Sequence, residues 1–218
     1  MLFQGQIMIN TAYIKHLIAE GEGQQLDFKY YISNAAKIAK TLVAFANSKG
    51  GRLLIGVKDN GNIIGIESEE EIYMIQLAAE SYCKPQVKVE LSNWSIDGKT
   101  VLEVYVPPSS EKPHFAKDDS GKWLVYIRKE DENLLADKVL VEVFKRKTSK
   151  KANIIRYEMP EKFILEYLTK NGQITFQQFY KQAKIPPYIA ERVLVNLVSI
   201  GLVKVNVSKE GNYFTLKE

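Results

Sequence analysis

The chain has 218 residues, of which 45% are apolar and 26% are charged, a composition that is ordinary for a soluble globular protein and excludes extensive disorder. Its net charge of +4 and pI near 8.9 permit a polyanionic partner without requiring one. The single cysteine, Cys83, excludes an internal disulfide and is expected in a core. No run reaches the roughly 20 apolar residues of a membrane span, so we expect a soluble, cytoplasmic protein with two domains.

The segment SNAAKIAKTLVAFAN predicts a helix from Ser33 to Asn47, because apolar residues recur at helical spacing and Ser33 or Asn34 is available as N-cap. Gly50 and Gly51 follow the helix, and the run RLLIGVKD then predicts a buried strand. A phosphate-binding P-loop needs the opposite order, with the strand before the glycines and the helix after them. The glycines are therefore predicted to end the helix and to let the backbone pack closely as it enters a sheet.

Further strands and a second helix follow along the chain. Asn60-Gly61 predicts a tight hairpin turn into a returning strand, NIIGI, and Asp97-Gly98 predicts a second hairpin turn. Helical spacing predicts a helix from Glu69 to Tyr82. Another strand is predicted from Trp123 to Arg128. This mixture of helices and strands predicts a first domain of the α+β, or mixed α/β, class.

A basic polar segment, FKRKTSKKANIIRY, separates this region from a second pattern. Such a charge run is typical of a linker or a helix end. It predicts a domain boundary near residues 148–155. We therefore predict a first domain over residues 1–150, with its core at about 15–130, and a second domain over residues 155–218.

The second domain has its own order of elements. PEKFILEYLTKNG predicts a short helix, with Pro160 near its start and Gly172 past its end. Thr175 is placed to cap TFQQFYKQAK, and a longer amphipathic helix, YIAERVLVNLVSIGLV, follows the IPP break. Two strands around Glu210-Gly211 complete the order of a winged helix-turn-helix. The third helix of that fold can enter the roughly 12 Å wide major groove of DNA.

Three segments, EGEGQQLDFK, KIAKTLVAFANSKGGRLLIGVKDNGNIIGI and YIR, resemble in that order the Schlafen-type AlbA-like domain. The resemblance runs from about Gly21 to Arg128 and is strongest over Leu26 to Ile66. It implies an AlbA-like mixed sheet with helices. Bacterial members often carry a C-terminal winged helix and are described as DNA-binding transcriptional regulators, so the resemblance implies DNA or RNA as the partner. Since Schlafen cores pair two AlbA-like lobes, it also implies a homodimer.

The same resemblance implies an alternative function, that of a metal-dependent endoribonuclease. The acidic residues of nuclease-active Schlafen proteins match Glu22, Asp27 and Asp59, and Lys29 is placed to neutralise a phosphate. Converging carboxylates are hard ligands for Mg²⁺ or Mn²⁺, which activate water. A structural role stays open, because Asp59 also suits a turn and Asp27 is one methylene shorter than the glutamate usual in the family.

Candidate nucleic-acid contacts come from the end of the strand near residue 128, from the basic run and from the third helix of the second domain. They are Tyr126, Arg128, Lys129, Lys145, Arg146, Lys147, Tyr188, Arg192 and Asn196. The first three are placed to contact phosphates or to form a solvated edge, and the last three are placed to read bases.

Two other pairs of residues have alternative roles. Trp94 and Trp123 lie in strand-like alternation, which favours core packing over base stacking. His16 and His114 are far apart and lack a ligand pattern, which favours surface or packing roles over a zinc site. Three function classes remain: a nucleic-acid-binding regulator, which is the leading hypothesis, a metal-dependent nuclease, and a protein-interaction or dimerisation module.

Overall fold

The computed structural model describes residues 7–8, 11–149 and 158–217, with only the backbone described at 7–8. The chain divides into two compact units, Met1–Leu135 and Ala136–Glu218. The predicted α+β class is confirmed. Over the described ranges, no helix has the length and apolar character needed to cross a membrane.

The boundary between the units lies before helix Lys138–Thr148, and not near residues 148–155 as the basic run predicts. The helix belongs to the second unit because Val139 and Val143 are buried in the core of that unit. Residues 150–157 of the predicted linker lie outside the described residues.

The described elements of the first unit are β1 (Ile7–Met8), α1 (Thr11–Glu20), β2 (Leu26–Lys29), α2 (Ala35–Asn47), β3 (Gly51–Ile55), α3 (Glu70–Ser81), β4 (Cys83–Lys84), β5 (Glu90–Ile96), β6 (Lys99–Val106), β7 (Phe115–Lys117), β8 (Trp123–Leu124), β9 (Tyr126–Lys129) and β10 (Glu132–Leu135). A five-stranded mixed sheet has the order β1-β5-β6-β3-β2, with β2 parallel to β3 at one edge. A three-stranded sheet has the order β4-β7-β8, and β9 pairs with β10.

Helices cover both faces of the five-stranded sheet. Successive side chains of a strand point to opposite faces, so Leu53 and Ile55 of β3 lie in the core shared with α2 and α3. Leu54 lies in the core shared with α1. Helix α2 is buried along almost its whole length, which places its end, and the start of β3, in the interior of the unit.

The predicted helix and its glycine turn are confirmed. Asn34 is the N-cap of α2, and its Oδ1 accepts two backbone N–H groups of the first turn. Gly50 has a φ of 74°, and a Cβ there would lie 2.7 Å from the carbonyl oxygen of Val106. Gly51 packs against the ring of Phe45, where a Cβ would lie 2.4 Å from the nearest ring atom. Both glycines are required by close packing at the point where the helix meets the sheet.

The segment after Asn60-Gly61 differs from the predicted hairpin. It returns beside β3 but forms one isolated bridge, between Val57 and Ile63, instead of a strand. Gly56 and Gly65 have φ values of 91° and 87°, which are outside the strand region. Their backbones cross so closely that a Cβ on Gly56 would lie 2.7 Å from the carbonyl carbon of Gly65. At these glycines the two backbone segments therefore cross closely instead of pairing as neighbouring strands.

The turn at Asp97-Gly98 is confirmed, because both residues have the positive φ that a type I′ turn requires. The strand predicted at 123–128 is instead two short strands, β8 and β9, that belong to different sheets. Because β8 pairs with β7 and β9 pairs with β10, the chain changes sheets at Val125.

The second unit contains α4 (Lys138–Thr148), α5 (Met159–Asn171), β11 (Gln173–Thr175), α6 (Phe176–Gln182), α7 (Pro187–Ser199), β12 (Val203–Asn206) and β13 (Tyr213–Leu216). Its three strands form a sheet of order β11-β13-β12, and Phe179 and Phe214 are fully buried in its core. Gly172 ends α5 at a φ of 81°. Thr175 and Gln178 form a capping box at the start of α6.

Candidate functional site at the edge of β2

Strand β2 is at the edge of its sheet, so within the described part of the chain one side of its backbone has no strand partner. Side chains of the EGEGQQLDFK segment and of β9 occupy this open side. Phe28 N donates to Glu22 Oε1 at 2.8 Å, and Phe28 O accepts from Lys29 Nζ at 2.6 Å. Leu26 O accepts from Arg128 Nη2 at 3.1 Å. Glu22, Lys29 and Arg128, which carry the family resemblance, therefore hydrogen-bond the backbone groups on the open side of β2.

Asp27 of the same strand is buried, and both of its carboxylate oxygens face cations. Oδ1 lies 3.3 Å from Arg128 Nη2, and Oδ2 lies 3.2 Å from Lys29 Nζ. Glu22 Oε1 lies 3.9 Å from the same Lys29 Nζ. Burial raises the pKa of the Glu22 carboxyl, and the hydrogen bond and negative charge of Asp27 raise this pKa further. The two carboxyl groups thus share one ammonium group.

Arg128 is enclosed in the interior of the first unit, where its residue is only 4% exposed. Besides its bond to β2, its Nε donates to Gly23 O at 3.0 Å and its Nη1 donates to Asn133 Oδ1 at 3.1 Å. The guanidinium lies 5.2 Å from the centre of the Phe45 ring. The prediction that Arg128 contacts nucleic acid is therefore wrong, because its donors are used inside the unit. It joins β9 to β2.

The end of α2 holds the other side of β9. Asn47 Nδ2 donates to His114 O and to Tyr126 O, each at 2.9 Å, and Asn47 Oδ1 accepts from His114 N at 2.8 Å. Ser48 Oγ accepts from Arg128 N at 2.8 Å. The segment FANSKGG is therefore a structural junction. Tyr126 is buried there, so its predicted contact with a phosphate is also wrong.

The metal site that the resemblance implies requires Glu22, Asp27 and Asp59 to converge. Asp59 is exposed after β3, and within the described ranges no group of three His, Cys, Asp or Glu side chains is placed to hold a metal ion. A divalent ion at Asp27 would also have to displace the cations of Lys29 and Arg128. The residues in this arrangement do not fit Mg²⁺ or Mn²⁺.

A second buried carboxylate, Glu103 of β6, was not among the predicted site residues. It accepts hydrogen bonds from Trp94 Nε1 at 2.8 Å, from Tyr13 Oη at 2.8 Å and from Arg52 Nε at 2.9 Å. Burial, with the Glu103 carboxylate as the next cause, raises the pKa of Tyr13. The signal for Glu103 in the sequence is a charged residue within the apolar strand TVLEVYV.

Arg52 also lines an open polar pocket of about 360 Å³ beside Glu22.

The basic candidates in the first unit and in α4 differ in their surroundings. Lys129 is half-buried at the end of β9. Lys145 is exposed and pairs with Glu142 Oε1 at 2.7 Å on the same helix. Lys147 is exposed in the last turn of α4. A nucleic-acid role for these lysines stays a prediction.

Two of the three candidates on α7, Tyr188 and Arg192, form what we call the outer side of α7. Tyr188 is 70% exposed, and Arg192, one turn further along, is exposed and has no hydrogen bond or ion pair within the described part of the chain. Asn196 is half-buried and its Oδ1 accepts from Arg146 Nη1. Glu191 Oε2 pairs with Lys138 Nζ at 2.8 Å, and this hydrogen bond raises the pKa of Lys138. Two of the three predicted residues of α7 therefore face solvent.

The two histidines lie in surface and packing positions, as predicted. His16 is exposed on α1 and lies 3.1 Å from Glu20. His114 is buried, with Nδ1 2.9 Å from Pro85 O and Nε2 2.7 Å from Ser109 Oγ. Because a carbonyl only accepts, Nδ1 carries the proton and Nε2 accepts from the serine hydroxyl. Burial lowers the pKa of His114, which favours this neutral form.

We expect His114 to make the first unit less stable in mild acid. The unfolded imidazole takes up a proton as the pH falls through about 6.5, whereas the folded one stays neutral until its lower pKa is reached. Protonation of the unfolded state therefore lowers the free energy of unfolding between those two values. Urea unfolding of wild type and His114→Gln, followed from about pH 7 to about pH 5.5, should show a flatter pH dependence in the variant. An equal slope in both proteins would contradict this role, and His16→Gln is the exposed control.

The fold and this edge define a class of protein: an α+β domain whose edge strand is hydrogen-bonded by side chains, followed by a small unit of helices and a three-stranded sheet. The family model described as Schlafen, AlbA_2 matches residues 22–137, more than half of the chain. The chain belongs to the Schlafen, AlbA_2 family. The matched range contains β2, the α2 junction and Arg128.

Two solved structures are similar to this chain. The DIP2311 protein from Corynebacterium diphtheriae matches at 20% identity and a TM-score of 0.46, over 68% of this chain and 34% of its own. The N-terminal domain of a RecG-related protein from Nitrosomonas europaea matches at 21% identity and a TM-score of 0.39, over 70% of this chain and 97% of its own. This chain thus spans about a third of the length of DIP2311.

Proposed function

We propose that this protein is a nucleic-acid-binding protein, and specifically a DNA-binding transcriptional regulator whose second unit is a winged helix. The order of elements supports the second part of the proposal. Helices α5, α6 and α7 are followed by the hairpin β12–β13, and β11 adds a third strand to that hairpin. In a winged helix the third helix is the one that enters the major groove.

The observation that carries the proposal is the outer side of α7. Tyr188 and Arg192 are four residues apart, so they lie on the same side of the helix. Both are exposed, and most buried residues of α7, such as Val193 and Leu197, lie on the opposite side in the core. Val195, three residues after Arg192, is buried, so the exposed side comprises Tyr188 and Arg192. The neighbouring negative charge of Glu191 is neutralised by Lys138. This side of α7 therefore offers a cation and an aromatic ring to a polyanion.

The chemistry of these two residues suits DNA. Arginine forms paired hydrogen bonds with guanine in the major groove, and it also binds phosphate. Tyrosine supplies a flat apolar surface and a hydroxyl group for base or backbone contacts. Asn196, which accepts from Arg146, contributes only if that bond opens. Arg192 is therefore the residue on which we expect affinity to depend most.

A homodimer is part of the proposal. A dimer would present two α7 helices to successive major grooves, about 34–36 Å apart along the duplex. Its binding site would then have two related half-sites.

The test is a titration of the purified full-length protein with fluorescent duplex DNA at about 50 mM and about 200 mM salt. We expect binding that weakens steeply with salt, because lysine and arginine contacts to phosphate release counterions. Binding that is independent of salt would contradict the proposal. Failure to bind nucleic acid at low salt, together with a stable dimer, would instead favour the protein-interaction class.

A further inference from the structure

The outer side of the three-stranded sheet in the first unit combines lysines and aromatic rings. Lys84 of β4 is directly opposite Phe115 of β7, and Lys117 of β7 is directly opposite Trp123 of β8. Phe115 and Lys117 are two residues apart on one strand, so their side chains share a side of the sheet. We call these four residues the β7 face.

The opposite side of the same sheet is a core surface. Cys83 and Ala116 are buried, at 3% and 1% exposure, and Leu124 packs against the same cluster. Burial raises the pKa of Cys83 to about 12, which is consistent with packing of the neutral thiol, as predicted. Since alternate residues point to opposite sides, the β7 face points away from this core. Lys84 and Trp123 are exposed, and Phe115 and Lys117 are half-buried.

The two tryptophans of the chain therefore differ. Trp94 is 8% exposed, and its indole N–H donates to Glu103, so the predicted core role is confirmed for it. Trp123 is 40% exposed, and the predicted core role is wrong for it. The same period-two pattern places one ring in the core and the other on the β7 face. Tryptophan is enriched at binding surfaces.

Three lysines, Lys84, Lys117 and Lys122, outnumber the two aspartates, Asp118 and Asp119, on the β7 face and in its turn. Lys122 is exposed next to Trp123 in the turn between β7 and β8. Asp118 in that turn accepts from Ser120 N, Ser120 Oγ and Lys122 N, each at 2.8–2.9 Å. Asp119 accepts from the side chain of Asn34 at 3.0 Å. The carboxylates of the turn are thus engaged in local hydrogen bonds.

We propose that the β7 face binds single-stranded nucleic acid. The rings of Trp123 and Phe115 stack on unpaired bases, while Lys84, Lys117 and Lys122 contact the phosphates. An exposed sheet with aromatic rings and a basic surround is suited to this ligand, because every unpaired base presents a flat face for stacking. Paired bases in a duplex are already stacked, so duplex DNA is not the ligand of this face.

This inference rests on the proposed nucleic-acid binding and adds to it a second site in the other unit. The two sites have different ligands and different residues. Trp123 belongs to the β7 face, whereas Arg192 belongs to α7. Variants of the two residues therefore separate failure of one site from failure of the other.

The experiment is a titration of the full chain with an oligothymidine single strand, followed by fluorescence anisotropy and by tryptophan emission. We expect wild type to bind with quenching of tryptophan emission, and Trp123→Ala to bind about tenfold more weakly. Trp123→Phe, which keeps a flat ring, should recover most of the affinity. Tyr73→Ala removes an exposed ring from α3 and is the matched control, with no expected effect. Because Trp123 is exposed, the unfolding midpoint of Trp123→Ala should stay close to wild type.

Three outcomes would overturn the inference. The first is equal affinity of Trp123→Ala and wild type for the single strand. The second is wild-type binding to duplex DNA but not to the single strand, which would leave the proposed regulator standing. The third is no binding to either ligand, which would remove the regulator as well. Binding to the single strand alone, with loss in Trp123→Ala, would support the β7 face and reject the duplex-binding regulator.

Discussion

Arg128→Ala is expected to lower the free energy of unfolding of the first unit by about 3–5 kcal/mol, the usual cost of removing one partner of a buried ion pair. The substitution leaves Asp27 buried without its closest guanidinium nitrogen, 3.3 Å away. It also leaves the carbonyl groups of Gly23 and Leu26 without the Arg128 donors. The ring of Phe45 loses its cation–π contact with the Arg128 guanidinium.

Urea unfolding followed by tryptophan fluorescence measures this effect in the first unit alone, because both tryptophans, Trp94 and Trp123, lie there. The matched control is Lys37→Ala, an exposed cation of α2 in the first unit, which should change stability by no more than about 0.5 kcal/mol. A stable Arg128→Ala protein with weakened nucleic-acid binding would contradict the structural role. That result would restore the surface contact predicted from the sequence.

Glu103→Ala is expected to destabilise the first unit by about 3 kcal/mol, within the range for breaking a buried charged network. The carboxylate accepts from Trp94, Tyr13 and Arg52, so its loss leaves three donors without this acceptor. Tyr13 lies on α1 and the other two lie on β5 and β3. The substitution should therefore loosen α1 from the sheet.

The measurement is again urea unfolding, together with the tryptophan emission maximum of the folded protein. We expect that maximum to shift, since the indole N–H of Trp94 loses its partner. Glu90→Ala, at the exposed start of β5, is the control and should be close to neutral. An unchanged midpoint in Glu103→Ala would show that the network does not contribute to stability.

Local signals predicted much of the fold. The N-cap at Asn34 and the Asp97-Gly98 turn each require a particular backbone conformation, and the structure has it. The glycine pair at 50 and 51 is required by close packing, as predicted. Helix α1 was not among the predicted elements, although Ile14, Leu17 and Ile18 have helical spacing. The domain boundary was misplaced because a charge run predicts a linker, whereas the burial of α4 depends on a core formed by distant residues.

The site was less predictable because its contacts join residues far apart in sequence. Arg128 lies about a hundred positions from Asp27. The segment YIR is at the end of a strand, where an arginine side chain can be exposed to solvent or buried. Asp27 and Glu103 interrupt apolar strands, which indicates a buried charge but does not identify its partner. The resemblance indicated Glu22, Asp27 and Asp59, with Lys29, as a group. The structure brings Glu22, Asp27 and Lys29 together, whereas Asp59 is exposed after β3. Arg128 occupies the position beside Asp27 that a metal ion would need. The spacing of residues along the sequence does not reveal this contact.

The central claim is that the outer side of α7 holds a polyanion. The most direct measurement compares wild type and Arg192→Ala in the titration with duplex DNA, over a range of salt concentrations. We expect the variant to bind more weakly and the slope of log K against log salt to fall by about 1, as expected when one phosphate contact is lost. Equal affinity and equal slope in the two proteins would contradict the claim.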